Sequence, residues 1–197
     1  SYDVNILSNG GFMEKKTQIR DAAFNLAISE GWRWITFSKI AQKTNIEESE
    51  IAKLFSSKQD IFLSLIEEID EITLSESHFV ESNSIRDRLF DIVMTRFDKL
   101  LPYRQQIKSI LFDFSQNPLA ISNLIKKNMN SMKLMLEFAE VKTSGLKGRL
   151  NIKGLMIIYA IVFRIWLNDD SVDLSKTMAA LDSNLGKAES IALVLQN

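Results

Sequence analysis

The stretch TFSKIAQKTNIEESEIAKLFSSKQDIF, Thr36–Phe62, decides how the chain is organised. Thr36 is placed to cap a short helix over Phe37–Lys43, with Ile40 and Ala41 on its bracing face. Asn45 lies in the turn that follows, a position that asks for left-handed backbone, which asparagine tolerates. Ile46 fills the turn, and Ile51, Leu54 and Phe55 anchor a second short helix from Glu48 to Phe55. Ser57, three residues before Asp60, opens a connecting helix through Ile61, Leu65 and Ile69. This is the spacing of a helix-turn-helix, whose first helix braces while the second lies in the major groove of DNA. Against it, Glu47, Glu48 and Glu50 crowd the place where such a helix meets a polyanion.

On either side of this stretch the apolar residues keep a helical period. Ile19, Ala22, Ala23, Leu26 and Ala27 mark a helix that stops at Gly31. The polar break Ser82–Ser84 precedes a helical segment in which Pro102 ends or kinks the element. Pro118 is expected in the next loop, and Leu119–Val141 as a long amphipathic helix ended by TSGLKG, Thr143–Gly148. An apolar helix over Asn151–Leu167 and a last helix over Leu174–Val194 follow, with Ser171 or Asp173 as the cap between them. Seven glycines and two prolines are few for a sheet protein, so the fold class is all-α. The expected division is a helix-turn-helix domain over 13–60 and a larger helical ligand-binding and dimerisation domain over 61–197. Residues 1–12, polar and aperiodic, read as an appended leader or a disordered arm.

Composition narrows the chemistry. With 46% hydrophobic residues the chain can bury a real core. It has no cysteine, which removes disulfide and thiolate chemistry and suits a cytoplasmic setting. The single histidine, His78, cannot build a multi-histidine metal site or serve the usual nucleophile–base constellations, and reads as a surface or connector residue. No glycine-rich phosphate loop or Glu-x-x-His pair is present, and Asp169 and Asp170 read as loop or capping residues; neither catalysis nor a cofactor is expected. Gly154–Leu167 is apolar but shorter than the roughly 20 residues a membrane span needs, so no integral membrane segment is expected. A net charge of −1 advertises no polyanionic partner.

ITFSKIAQKTNIEESEIAKLFSSKQDIF, with IRDAAFNLAISEGW before it, resembles the DNA-binding region of the TetR family of bacterial transcriptional regulators. The matched positions include Thr36, Ile40, Ala41, Ile46, Phe55, Ser57, Lys58 and Phe62. The resemblance implies a homodimer that holds double-stranded DNA through paired helix-turn-helices and responds to a small molecule. It implies phosphate or base contacts from Thr36, Ser38, Lys39, Lys53 and Lys58, with Ser49 and Glu50 choosing sequence. Asn45 stands where that family usually has glycine, and Lys53 replaces an aromatic residue.

IRDRLFDIVMTRFDKLLPYR, Ile85–Arg104, and WLNDDSVDLSKTMAALDSNLGKAE, Trp166–Glu189, resemble a second family, the TetR-fold lipid-binding accessory proteins of ubiquinone biosynthesis. That likeness implies an apolar pocket for a lipid or quinone-like molecule and no DNA task. Methionine beside aromatic residues suits an adaptable apolar site, and Phe112, Met132, Met135, Tyr159, Phe163 and Trp166 are the candidates to line it. In the TetR family the last two helices pair with those of a second copy, which here means residues 151–194.

Overall fold

The computed structural model describes residues 3–78 and 84–194, and among these every regular element is helical, as the sequence leads one to expect. Ser82 and Asn83 of the expected polar break lie outside the described residues. In chain order come α1 (Asp3–Glu30), a 3-10 turn (Trp32–Trp34), α2 (Phe37–Thr44), α3 (Glu48–Leu54) and α4 (Lys58–Glu76). Then follow α5 (Ile85–Leu100), a 3-10 turn (Leu101–Tyr103), α6 (Arg104–Phe114), α7 (Pro118–Phe138), α8 (Gly145–Trp166) and α9 (Ser175–Val194).

Several boundaries follow local chemistry. Gly31, at φ 89, ends α1, its amide donating to the Ala27 carbonyl at 3.1 Å. Ser84 and Asp87 form a full capping box at the start of α5. Pro102 sits in the turn after α5, where its missing amide costs no helical hydrogen bond. Other boundaries differ from expectation. Pro118 is the first residue of α7 rather than part of a loop, with Asn117 Oδ1 accepting from the Leu119 and Ala120 amides at 3.1 and 3.2 Å. Gly145 and Gly148 begin α8 instead of ending α7. Only glycine fits at 148, because a Cβ there would stand 2.0 Å from the Thr143 carbonyl carbon. Residues 3–12 are helical rather than a loose arm; once the turns around Ile19 are packed, adding residues to the helix needs no new nucleus.

The chain forms two compact units, one of Ser1–Glu67 with Tyr103–Ser122 and the other of Glu68–Pro102 with Asn123–Asn197. The first unit therefore takes in α6, which the expected division left with the larger domain. Ile107, Ile110 and Phe114 put α6 into that unit's core. Phe114 meets Phe62 with ring centroids 5.2 Å apart and Trp32 at 6.3 Å, and Phe24 meets Trp32 at 6.4 Å. Edge-on and tilted aromatic pairs of this kind add about 0.5–1.5 kcal/mol each beyond area burial. Ser109 also donates to the Ala27 carbonyl at 3.1 Å, and Asp113 accepts from the Arg33 amide at 2.7 Å.

The second unit is built around a different aromatic arrangement. Phe97 stacks on Tyr159 at 5.1 Å with the planes 2° apart, and Phe163 and Trp166 continue the stack. The loop before α9 is held by Asp169, which is fully buried and accepts from the Thr177 amide at 2.8 Å and hydroxyl at 2.7 Å, as well as from Ser171. Burial pushes the Asp169 carboxyl up, but these hydrogen bonds outweigh it and hold the pKa well below the usual carboxylate range. Both expected caps serve α9, since Ser171 Oγ and Asp173 Oδ1 each accept from the Ser175 amide.

Candidate nucleic-acid interface

The helix-turn-helix is set by a few local bonds. Thr36 adopts extended backbone and its Oγ1 accepts from the Lys39 amide at 3.3 Å, capping α2. Asn45 takes the left-handed conformation, φ 57 and ψ 26, that the turn requires. Thr44 ties the corner, donating to the Ile40 carbonyl at 2.8 Å and accepting from the Ile46 amide at 3.3 Å. Gln18 of α1 donates to the Thr44 carbonyl at 3.3 Å. Ile40, Ile46, Ile51 and Phe55 are buried, so the pair packs as one body with α1.

That burial determines which side chains of α3 face outward: Glu48, Ser49, Ala52 and Lys53 are exposed. Glu50 is not free to repel a phosphate unopposed, because Lys15 of α1 holds it with Nζ 3.0 Å from Oε1 and 3.2 Å from Oε2. Glu47 precedes α3 without a side-chain capping bond, and Glu48 sits in the first turn, where a carboxylate favours the helix dipole.

The sequence-predicted contact residues divide into two sets. Ser38, Ser49 and Lys53 are exposed, and Lys53 carries no ion pair among the described residues. Thr36 is engaged as a cap, and Lys39 pairs with Glu30 at 2.5 Å. Lys58 is turned inward: its ammonium donates to the carbonyls of Trp32, Arg33 and Ile35 at 2.8, 2.9 and 3.2 Å. Burial lowers its pKa and Asp113 partly restores it. Lys58 is thus a clamp on the connection between α1 and α2. Lys15, Lys43 and the 63% exposed Trp34 are further features of this surface that the sequence reading did not single out. For Lys15 the sequence holds no signal, since Glu50 lies far along the chain and only the packing of α3 on α1 brings them together.

Of the candidate ligand-lining residues, Tyr159, Phe163 and Trp166 are brought together in the second unit's aromatic stack. Met132 and Met135 are buried on α7 of the same unit. Phe112 belongs to the first unit and is 73% exposed, because α6 buries Ile107, Ile110 and Phe114 and so turns Phe112 to the opposite face. Sequence reading missed the polar cluster beside the stack: Arg96 of α5 pairs with Asp70 of α4 at 3.1 Å, and Ser131 of α7 donates to Asp70 at 2.5 Å. A signal existed, for Arg96 falls among Ile92, Val93, Phe97 and Leu100 on the face that the helical period assigns to the core.

No family model matches the chain, and no curated protein matches it. Solved structures do. A TetR transcriptional regulator from Nitrosomonas europaea superposes with a TM-score of 0.73 at 20% identity, covering 89% of this chain and 98% of that one. A TetR regulator from Rhodococcus sp. RHA1 gives 0.61 at 17% identity, covering 86% and 94%. The fatty acid degradation regulator FadR from Bacillus halodurans gives 0.59 at 21% identity, covering 87% and 94%. No helix among the described residues is long and apolar enough to cross a membrane. The chain has the all-helical fold of the TetR transcriptional regulators.

Proposed function

We propose that the protein is a TetR-like transcriptional regulator that binds operator DNA as a homodimer and responds to a small apolar ligand. The observation that carries the reading is α2–Asn45–α3, a complete helix-turn-helix whose second helix turns Ser49, Ala52 and Lys53 to solvent. Ser38 and Lys53 are assigned to phosphates, and Ser49 and Glu48 to base edges, where a glutamate accepts from a cytosine amino group. A second copy is assigned to α8, where Leu146, Leu150, Ile157 and Ile161 are 45–71% exposed at helical spacing. The ligand is assigned to the second unit and acts by shifting the population of DNA-competent dimers. A chain that works on DNA in this way works in the cytoplasm, and nothing in the reading calls for catalysis.

Binding to duplexes selected from a random pool, measured at two salt concentrations, tests this. A reader loses affinity steeply as salt rises, by close to one unit of log–log slope per phosphate neutralised. Absence of duplex binding at low salt would remove the reading.

A second reading, a TetR-fold lipid carrier that leaves DNA alone, draws support from Lys39 and Lys58 being engaged internally and from Glu47 and Glu48 being exposed. It predicts an apolar molecule co-purifying with the protein and no salt-dependent duplex binding.

A further inference from the structure

We propose that the groove between α5 and α9 is a binding site for a protonated amine that carries an apolar body. The inference goes beyond the regulator reading and holds whether or not the chain binds DNA. Every residue it uses belongs to the second unit, and none belongs to the aromatic stack of Phe97, Tyr159, Phe163 and Trp166.

The groove follows from how α5 joins α9. Arg86, in the first turn of α5, reaches Asp182 at 2.7 Å and Glu189 at 3.7 Å. It does so across Gly186, where a Cβ would stand 3.4 Å from the guanidinium carbon, so α5 is held close to α9 there. Towards the start of α9 a hollow of about 510 Å³ stays open, with Phe90, Met178 and Ala179 as its apolar lining and Arg86, Asp87 and Asp182 as its charged one. Small-molecule sites commonly measure roughly 300–1,000 Å³.

The lining selects the ligand. Phe90, Met178 and Ala179 offer surface to an apolar body, and the face of an aromatic ring also attracts a cation. Asp87, Asp182 and Glu189 stand against the one guanidinium of Arg86, three negative charges to one positive, a net of −2. Arg86 is engaged by two of those carboxylates and is not open to an anion. Asp87 and Asp182 each use one oxygen in their bonds to Ser84 and Arg86 and keep the other, which accepts and cannot donate. Asp91, one turn along α5, registers the same field: burial raises its pKa, and the charge of Asp87 raises it further. Lys176 and Lys187, the two cations of α9, lie about a third of a turn round the helix from Asp182, off the face that carries Met178 and Glu189. The occupant must therefore donate hydrogen bonds, carry positive charge and present apolar surface. A primary ammonium on an aromatic or alkyl body meets all three conditions.

The test sets 4-phenylbutylamine beside 4-phenylbutanol, 4-phenylbutanoate and butylamine, in equilibrium dialysis against the whole chain at low and high salt. The phenyl amine is expected to bind at least about tenfold tighter than each of the others, and to weaken as salt rises. Ala179→Leu fills the hollow and Asp182→Asn removes a rim charge. Each is expected to lower affinity for the phenyl amine about tenfold, while Asp170→Asn, at an exposed carboxylate in the loop before α9, leaves it unchanged. Circular dichroism checks that every variant keeps its helices. The inference is overturned if another probe binds as well as the phenyl amine, if no probe binds, or if either groove variant binds it as the wild type does. It is also overturned if Ala179→Leu abolishes self-association in sedimentation, which would give the groove to a second copy of the chain. Duplex binding by the same samples is scored separately, so a failed regulator reading leaves the amine result standing.

Discussion

The ammonium of Lys58 stands 2.8 Å from the carbonyl oxygen of Trp32 and also caps the carbonyls of Arg33 and Ile35. A residue at the start of α4 therefore closes the chain segment that leads into α2.

Lys58→Met leaves those carbonyls without their donor. A loss of about 1–3 kcal/mol is expected, read as a fall of several degrees in melting temperature. If Lys58 were instead a phosphate contact, the variant would melt like the wild type and lose only duplex affinity. Melting curves beside binding isotherms separate the two.

Duplex affinity should respond in opposite directions to two changes near α3. Lys53→Ala removes an exposed cation and is expected to weaken binding to all sequences and to lower the salt slope by about one. Glu50→Gln removes a carboxylate and releases Lys15 from its 3.0 Å pair, so binding should tighten and the slope should steepen. Fluorescence anisotropy across a salt series measures both.

On α8, Ile157 is 62% exposed in the middle of the apolar stripe. Ile157→Glu places a charge where a second copy is assigned. Sedimentation equilibrium is expected to show a shift from dimer to monomer with the helical content unchanged, and duplex affinity should fall with it because the paired half-sites are no longer held together.

Asp169 supplies a pH test. Its pKa is lowered in the folded chain, so its contribution to stability is fully present above the ordinary carboxylate range and is lost as pH falls through the folded value. Asp169→Asn keeps the shape and removes the charge. The variant is expected to be less stable than the wild type by about 2 kcal/mol near neutral pH. The gap should narrow between about pH 5 and pH 2, as followed by denaturant unfolding at each pH.

Local chemistry was sufficient for much of the molecule. Thr36 as a cap, Asn45 as a left-handed turn residue, and Ile40, Ile46 and Ile51 as the buried face of the helix-turn-helix all follow from neighbours a few residues away. Such features depend on backbone preference and helical period, which the sequence carries directly. The helical reach of residues 3–12 and the start of α8 at Gly145 did not follow. They depend on turns already packed elsewhere and on the close approach of Gly148 to Thr143.

The side chains of the candidate sites divide along the same line. A family resemblance nominated Lys58 and residue type nominated Phe112, and the tertiary structure turned one inward to three carbonyls and the other outward to solvent. It also joined Lys15 to Glu50, and Asp70 to Arg96 and Ser131, across long separations in sequence. The sequence by itself determined which segments are helical, where the reading motif lies and which faces are apolar, because those properties are written at spacings of three to four residues. Which charges are cancelled or clamped was decided only when the helices packed, because a charge's partner is set by distance in space and not along the chain.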